Sequence, residues 1–257
     1  MDNIFDTHAH YDDRAFDADR LTLLDSLPGQ GIRAVINCGT NEQSSRESAQ
    51  LSRLFGFVYF ACGIHPHDAG QAVPLKKNAA MLELAADGKC AAIGEIGLDY
   101  HYQYSGRDVQ LVFFEEQLAL ARELRKPVII HDREAHAGTL NLLKKYKPAG
   151  VMHCFSGSAE FAAEVLRLGM YIGLGGAVTF RNAKKPLEAA RATPLERLLL
   201  ETDCPYMAPE PLRGKRCDSA MIPYAAQKIA DAKGIGAQTL IDITTENACR
   251  LFGISLG

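Results

Sequence analysis

Eight short apolar runs, each followed by a turn or polar cluster and then by a longer helix-like pattern, constrain this chain more than any other feature. The runs are "NIFDTH" (3–8), "AVINCG" (34–39), "FVYFACG" (57–63), "AAIGEIG" (91–97), "PVIIHD" (127–132), "GVMHCFS" (150–156), "YIGLGG" (171–176) and "LLLETD" (198–203). Helices are expected between them over 19–27, 42–54, 77–87, 107–125, 135–145, 159–168, 184–192 and 219–232, with a last one over 237–252. The clearest is "RDVQLVFFEEQLALARELR", where Leu111, Phe114, Leu118 and Ala121 recur at spacings of three and four, as in a helix that buries one face. Strands alternating with helices imply a parallel sheet. Eight such units in 257 residues predict one α/β domain over 1–257, a (β/α)₈ TIM barrel. An open doubly wound sheet is the competing architecture. It requires a glycine-rich phosphate loop after the first strand, and this chain has "THAHYDD" there.

In such a barrel the active site lies at the C-terminal ends of the strands. The first run ends in His8 and His10, the third leads into His65 and His67, and the fourth carries Glu95. The fifth ends at His131, the sixth carries His153 and the eighth ends in Asp203. Cys38-Gly39 and "GLGG" end the other two and leave room. Side chains two apart on a strand share a face, so His8 and His10 are expected to point together into the barrel mouth. Any one of these residues alone reads more readily as a hydrogen-bonded core residue than as a ligand. Six at the same end of successive strands need a common partner, because an unpaired buried carboxylate is costly, and a divalent cation satisfies them together. His101 and His136 fall in a loop and at a helix start and are expected at the surface.

Other functions are excluded by composition. A net charge of −3 argues against nonspecific coating of nucleic acid, which needs a broad basic surface. The seven cysteines are odd in number and form no C-x-x-C pair, which reads as reduced thiols in a cytoplasmic protein. "MDNIFDTHAH" has no basic start or apolar stretch suited to secretion, and no run is long enough to span a bilayer. No membrane association and no obligate protein partner are implied.

Ordered motifs now run from end to end: "DTHAHYD" (6–12), "CGIHPH" (62–67), "GEIGLDY" (94–100), "PVIIHDREA" (127–135), "MHCFSGS" (152–158), "GGAVTFRNA" (175–183), "LLLETDCPYMAPEPLRGKR" (198–216) and "TTENACRLFG" (244–253). With them the chain resembles the TatD family of metal-dependent deoxyribonucleases, within the amidohydrolase-like barrels. The resemblance implies a divalent-metal hydrolase of DNA phosphodiester bonds, active with magnesium, with metal ligands His8, His10, Glu95, His131, His153 and Asp203. Two departures stand beside the expected cleft: Asp132 where the family usually has Ser, and Cys217-Asp218-Ser219 where it usually has Asn-Glu-Pro.

Six ligands exceed what one open four-coordinate site needs, so two ions are expected. Glu95 would bridge them, with His8, His10 and Asp203 on one and His131 and His153 on the other. Asp203 is the candidate proton acceptor from the attacking water, which makes it and Glu95 the expected catalytic carboxylates. Arg133, Arg213, Lys215 and Arg216 are candidate phosphate partners, although "RGKR" reads equally as a solvated basic turn. His65 is either a donor to a phosphate oxygen or a turn residue before Pro66. Glu201 shares a face with Asp203 and is expected to give interior support. Four histidines suit Zn²⁺, Mn²⁺ or Fe²⁺ better than Mg²⁺. The modest charge favours strand ends or single strands as the DNA substrate. Tyr100, Tyr102, Phe155 and Tyr206 are either base-stacking or packing residues. The competing functions are hydrolysis of an amide, lactone or ester at the same centre, and a non-catalytic metal-binding barrel.

Overall fold

In the computed structural model, which describes residues 1–256, every apolar run carries a strand. The strands are β1 (Ile4–Ala9), β2 (Ile32–Cys38), β3 (Val58–Cys62), β4 (Cys90–Asp99), β5 (Val128–Arg133), β6 (Gly150–Met152), β7 (Tyr171–Leu174) and β8 (Leu198–Leu200). They pair in parallel in sequence order, and a bridge from Ala9 to Cys204 joins the last edge to the first. The result is a nearly closed (β/α)₈ barrel, which disposes of the open-sheet alternative. Its helices are α1 (Arg20–Ser26), α2 (Glu42–Leu54), α3 (Ala79–Ala86), α4 (Arg107–Leu124), α5 (His136–Tyr146), α6 (Ala159–Arg167), α7 (Lys184–Ala192), α8 (Ile222–Lys233) and α9 (Ala237–Phe252).

Two apolar clusters follow from this closure. Phe5, Ile36, Cys38, Ala61, Ala92, Ile129, Val151 and Leu199 fill the barrel interior, with Phe252 and Ile254 packed among them. The larger cluster joins the outward strand residues, such as Ile4, Val35, Phe60 and Ile130, to helix faces that include Phe114, Leu118 and Ile229. Alternation therefore places one face of each strand inside and one against helices. The polar ends of the strands remain for the mouth.

Local chemistry sets where each strand stops. Asn41 accepts from Ser44 N at 3.0 Å and caps α2, which ends the β2 loop within a few residues of the mouth. Two buried glutamines of α4 act in the same way on the loops beside it. Gln117 accepts from Ile64 N at 2.6 Å and donates to Ile64 O at 3.1 Å. Gln110 accepts from Asp99 N at 2.9 Å and donates to Asp99 O at 3.0 Å.

The sixth and eighth strands are shorter than their apolar runs. Cys154 and Asp203 take left-handed backbone angles, with φ of 42° and 61°, so the chain turns there and His153 and Asp203 stand just past their strands. The pair on β1 also departs from simple alternation. Counting from Phe5, which faces the interior, would turn His8 and His10 outward. A register shift between Asp6 and Ala9 in the β1–β2 pairing inserts one residue, and such a bulge re-aims the side chains that follow it.

Candidate metal centre

Glu95 is the hub of the mouth. It is 4% exposed, and its main-chain N donates to Gly39 O at 2.9 Å, which ties β4 to the end of β2. Its two oxygens divide the surrounding rings. Oε2 lies 3.4 Å from His8 Nε2 and 3.6 Å from His10 Nε2. Oε1 lies 2.8 Å from His153 Nε2, 3.0 Å from His131 Nδ1 and 3.5 Å from His65 Nε2. Asp203 Oδ1 completes the first side, 3.4 Å from His10 Nε2 and 3.7 Å from His8 Nε2. All six residues expected as ligands therefore converge.

Outer partners orient the rings. His10 Nδ1–H donates to the Cys38 carbonyl at 2.8 Å, leaving Nε2 turned to the centre, 3.0 Å from His8 Nε2. His131 Nε2–H donates to Asp99 Oδ2 at 3.2 Å, leaving Nδ1 turned to Glu95. His153 stacks on His8, with centroids 3.9 Å apart and planes 10° from parallel. Its Nδ1 stands 3.6 Å from Glu201 Oε1, and Glu201 also accepts from Cys154 N, so Glu201 does support the interior face. Gly173 makes room for it: a Cβ there would sit 2.5 Å from Glu201 Oε2 and 3.2 Å from the His153 Cα.

This cluster calls for positive charge. Burial disfavours charge on the Glu95 carboxyl, yet the imidazoles of His153, His65, His8 and His131 together hold it well below the usual carboxylate range. Burial likewise opposes charge on His10, but its hydrogen bond to Asp203 and the Glu95 and Asp203 carboxylates push it up to about 9. His153 rises for the same reason against its own burial, drawn by Glu95 and Glu201. His65 goes the other way, lowered to about 4, because burial outweighs the pull of Glu95. Burial also works against charge on Asp203, but its hydrogen bond to His10 and the nearby imidazoles of His153 and His8 keep it a carboxylate.

The donor set fits divalent ions. Imidazole nitrogens and carboxylate oxygens lie within 4.8 Å of one another in three overlapping groups: His8–His10–Glu95, His8–His153–Asp203 and His65–Glu95–His131. Two buried atoms of the cluster, His153 Nδ1 and Glu201 Oε2, are without a hydrogen-bond partner among the described residues. The grouping differs from the expected division in two respects. His131 is joined by His65, and His153 sits with His8 and Asp203. His65, 7% exposed, lines the mouth cavity and turns its Nε2 to Glu95 Oε1 at 3.5 Å.

The other candidates separate. Arg133 lines the mouth, a cavity of about 780 Å³, and its guanidinium lies 4.5 Å over the Tyr102 ring. Arg213 and Arg216 are not among the cavity's lining residues. Arg216 pairs with Asp19 through both nitrogens, at 2.7 and 2.6 Å, and covers Phe16. Arg213 lies 3.7 Å over Phe180. Asp132 lines the mouth and accepts from His136 Nδ1. His101 pairs with Glu134 at 2.8 Å in the exposed rim, in keeping with a surface role. Sequence reasoning passed over Asp99, whose Oδ2 also accepts from His67 Nε2 at 2.9 Å. The signal was its place in "GEIGLDY", on the β4 strand that carries Glu95.

The family model for TatD related DNase matches residues 5–253. The chain belongs to the TatD family. A Bacillus subtilis (strain 168) relative named "Uncharacterized metal-dependent hydrolase YabD" is 40% identical over 255 residues, covering 98% of this chain and 100% of the relative. The "3'-5' ssDNA/RNA exonuclease TatD" of Escherichia fergusonii is 34% identical over 262 residues, covering 98% of this chain and 100% of that protein. A crystal structure of YJJV, a TatD homologue from Escherichia coli K12, superposes with a TM-score of 0.91 at 28% identity, covering 98% of this chain and 99% of the other. This TatD-family chain is therefore a metal-dependent hydrolase with a barrel to match, and among its described residues no helix is long and apolar enough to cross a membrane.

Proposed function

We propose that this TatD-family hydrolase cleaves phosphodiester bonds at the ends of single-stranded DNA, with divalent ions that His8, His10, Glu95, His131, His153 and Asp203 would hold. The observation that carries the reading is the split of Glu95, one oxygen toward His8 and His10 and the other toward His65, His131 and His153. The exonuclease named among the relatives lends it support. Divalent ions bound there would polarise the phosphoryl group and make water acidic enough to yield a nucleophile near neutral pH. Asp203, a carboxylate beside His10, accepts the proton of the attacking water at an Oδ atom. Arg133 donates to a non-bridging phosphate oxygen at the rim, where bidentate geometry suits it. The bond from phosphorus to the water oxygen forms as the bond to the leaving nucleotide oxygen breaks, and a proton returns to that oxygen. Imidazole-rich ligands favour manganese, zinc or iron over magnesium.

A second reading has its own observation. Asp12, Asp13, Asp68 and Asp132 line the mouth with Arg133 as the one arginine among its lining residues, and such a rim suits a small neutral amide, lactone or ester. The test is to load the protein with Mn²⁺, Mg²⁺ or Zn²⁺ in turn and assay a single-stranded oligodeoxynucleotide beside lactone and amide panels. Release of mononucleotides, abolished by chelation and restored by metal, is expected. Metal-loaded protein that ignores the oligonucleotide and turns over a lactone or amide sinks the nuclease reading.

A further inference from the structure

The loop between β4 and α4 carries an aromatic pair that core packing does not account for. Tyr102 and Tyr104 are 40% and 70% exposed, yet their rings stack on each other, with centroids 5.7 Å apart and planes 10° from parallel. The Arg133 guanidinium backs Tyr102 at 4.5 Å. The edge contact with His67, 4.8 Å between centroids, sets the orientation of Tyr104. Single exposed tyrosines are ordinary on protein surfaces. A stacked pair with a cationic backing, beside a catalytic mouth, has the make-up of a surface that takes another flat ring.

The pair is also held firmly. Asp99 Oδ1 accepts from Tyr102 N at 2.8 Å and His101 N at 2.9 Å, while Oδ2 of the same carboxylate accepts from His131 and His67. At the far end of the loop Ser105 Oγ donates to His67 O at 2.9 Å and accepts from Gly70 N at 2.8 Å. Gln110 Nε2 donates to Ser105 O at 2.9 Å. One carboxylate thus fixes both a ring of the metal centre and the start of the aromatic loop. Their separation is set before any substrate arrives, which lowers the ordering cost of binding. Tyr102 and His67 themselves line the mouth.

From this juxtaposition we infer that Tyr102 and Tyr104 form a stacking platform for a nucleobase of a single-stranded nucleic acid whose scissile phosphate lies at the metal centre. The inference rests on the phosphodiesterase reading for the identity of the ring, and it adds a specificity element that reads unpaired bases. A base within a duplex has both faces covered and is refused, while a frayed or single-stranded end presents a free face. Stacking tolerates any base, so the platform selects for strandedness rather than sequence.

The test measures binding and turnover separately. Binding of a fluorescein-labelled single-stranded oligodeoxynucleotide, and of the same strand with abasic residues at its terminal positions, is followed by anisotropy in the Mn²⁺-loaded Asp203→Asn background. Tyr104→Ala is expected to weaken binding of the intact strand about tenfold, Tyr104→Phe to hold it, and the abasic strand to bind both equally weakly. In the otherwise unaltered enzyme, Tyr104→Ala is expected to raise KM for the intact strand by a similar factor and to leave kcat in place. Equal binding of the intact strand by Tyr104→Ala and its parent overturns the platform, as does equal binding of intact and abasic strands by the parent. Tyr104-dependent binding without cleavage by the unaltered metal-loaded enzyme overturns the nuclease reading and leaves the platform standing.

Discussion

The strand-end histidines and the arginines of the loop after β8 are the two most conspicuous polar groups in this sequence, and the fold treats them in opposite ways. His8 of β1, His10 just past it, His131 of β5 and His153 just past β6 meet within a few ångströms of one carboxylate. Arg213 and Arg216 are neighbours in one short loop and diverge, one onto Phe180 and the other onto Asp19 and Phe16. The difference is geometric. Strands of a closed barrel are tilted and staggered so that their ends share one rim, and residues at those ends are forced toward a common axis. A loop imposes no such direction, so each arginine takes the nearest carboxylate or ring.

Three substitutions probe that contrast. The largest effect is expected from Asp203→Asn. Loss of the proton acceptor should lower kcat by about a hundred- to ten-thousandfold, while metal analysis shows ions still held by the remaining ligands. Normal turnover would remove Asp203 from the chemistry. An intermediate effect is expected from Gly173→Ala, which adds one methyl against Glu201 and the His153 backbone. Overpacking of this kind costs about 1–3 kcal/mol, to be read as a lower unfolding temperature together with reduced metal content. Unchanged values would mean that the convergent region is looser than its distances indicate.

Arg216→Ala should have the smallest effect. The Arg216 hydrogen bonds hold the Asp19 carboxyl below the usual carboxylate range. The sign follows from that direction. A carboxyl with a lowered folded pKa contributes stability at neutral pH, and the contribution is lost as pH falls through that pKa. The pair is exposed, so the midpoint at pH 7 should shift by no more than about 3 °C, the shift should vanish in acid, and KM for an oligonucleotide should not change. A large rise in KM would return Arg216 to the substrate.

Much of the site was legible because barrel geometry converts one-dimensional position into three-dimensional proximity. Asp203, far along the chain from His8, was readable as its neighbour once both were placed at strand ends. His65 was harder: its ring meets Glu95 and His131 only because Gln117 of α4 grips the Ile64 backbone from both sides. Gln110 and Gln117 read merely as polar residues in an amphipathic helix, since nothing in their spacing says which main-chain groups they will satisfy. Asp99 was likewise invisible as the shared partner of His67, His131 and the Tyr102 loop.

The sequence by itself determined the order of strands and helices, the end of the barrel that carries the chemistry, and the residue types that meet there. Those depend on apolar periodicity and on the closure rule of the fold, both local or topological. Only the tertiary structure decided how the β1 bulge turns His8 and His10 inward, which rings Glu95 divides between its two oxygens, and which arginine faces the mouth. These depend on register and on competition between distant partners for the same hydrogen bonds, and such competition is settled by packing across the whole barrel.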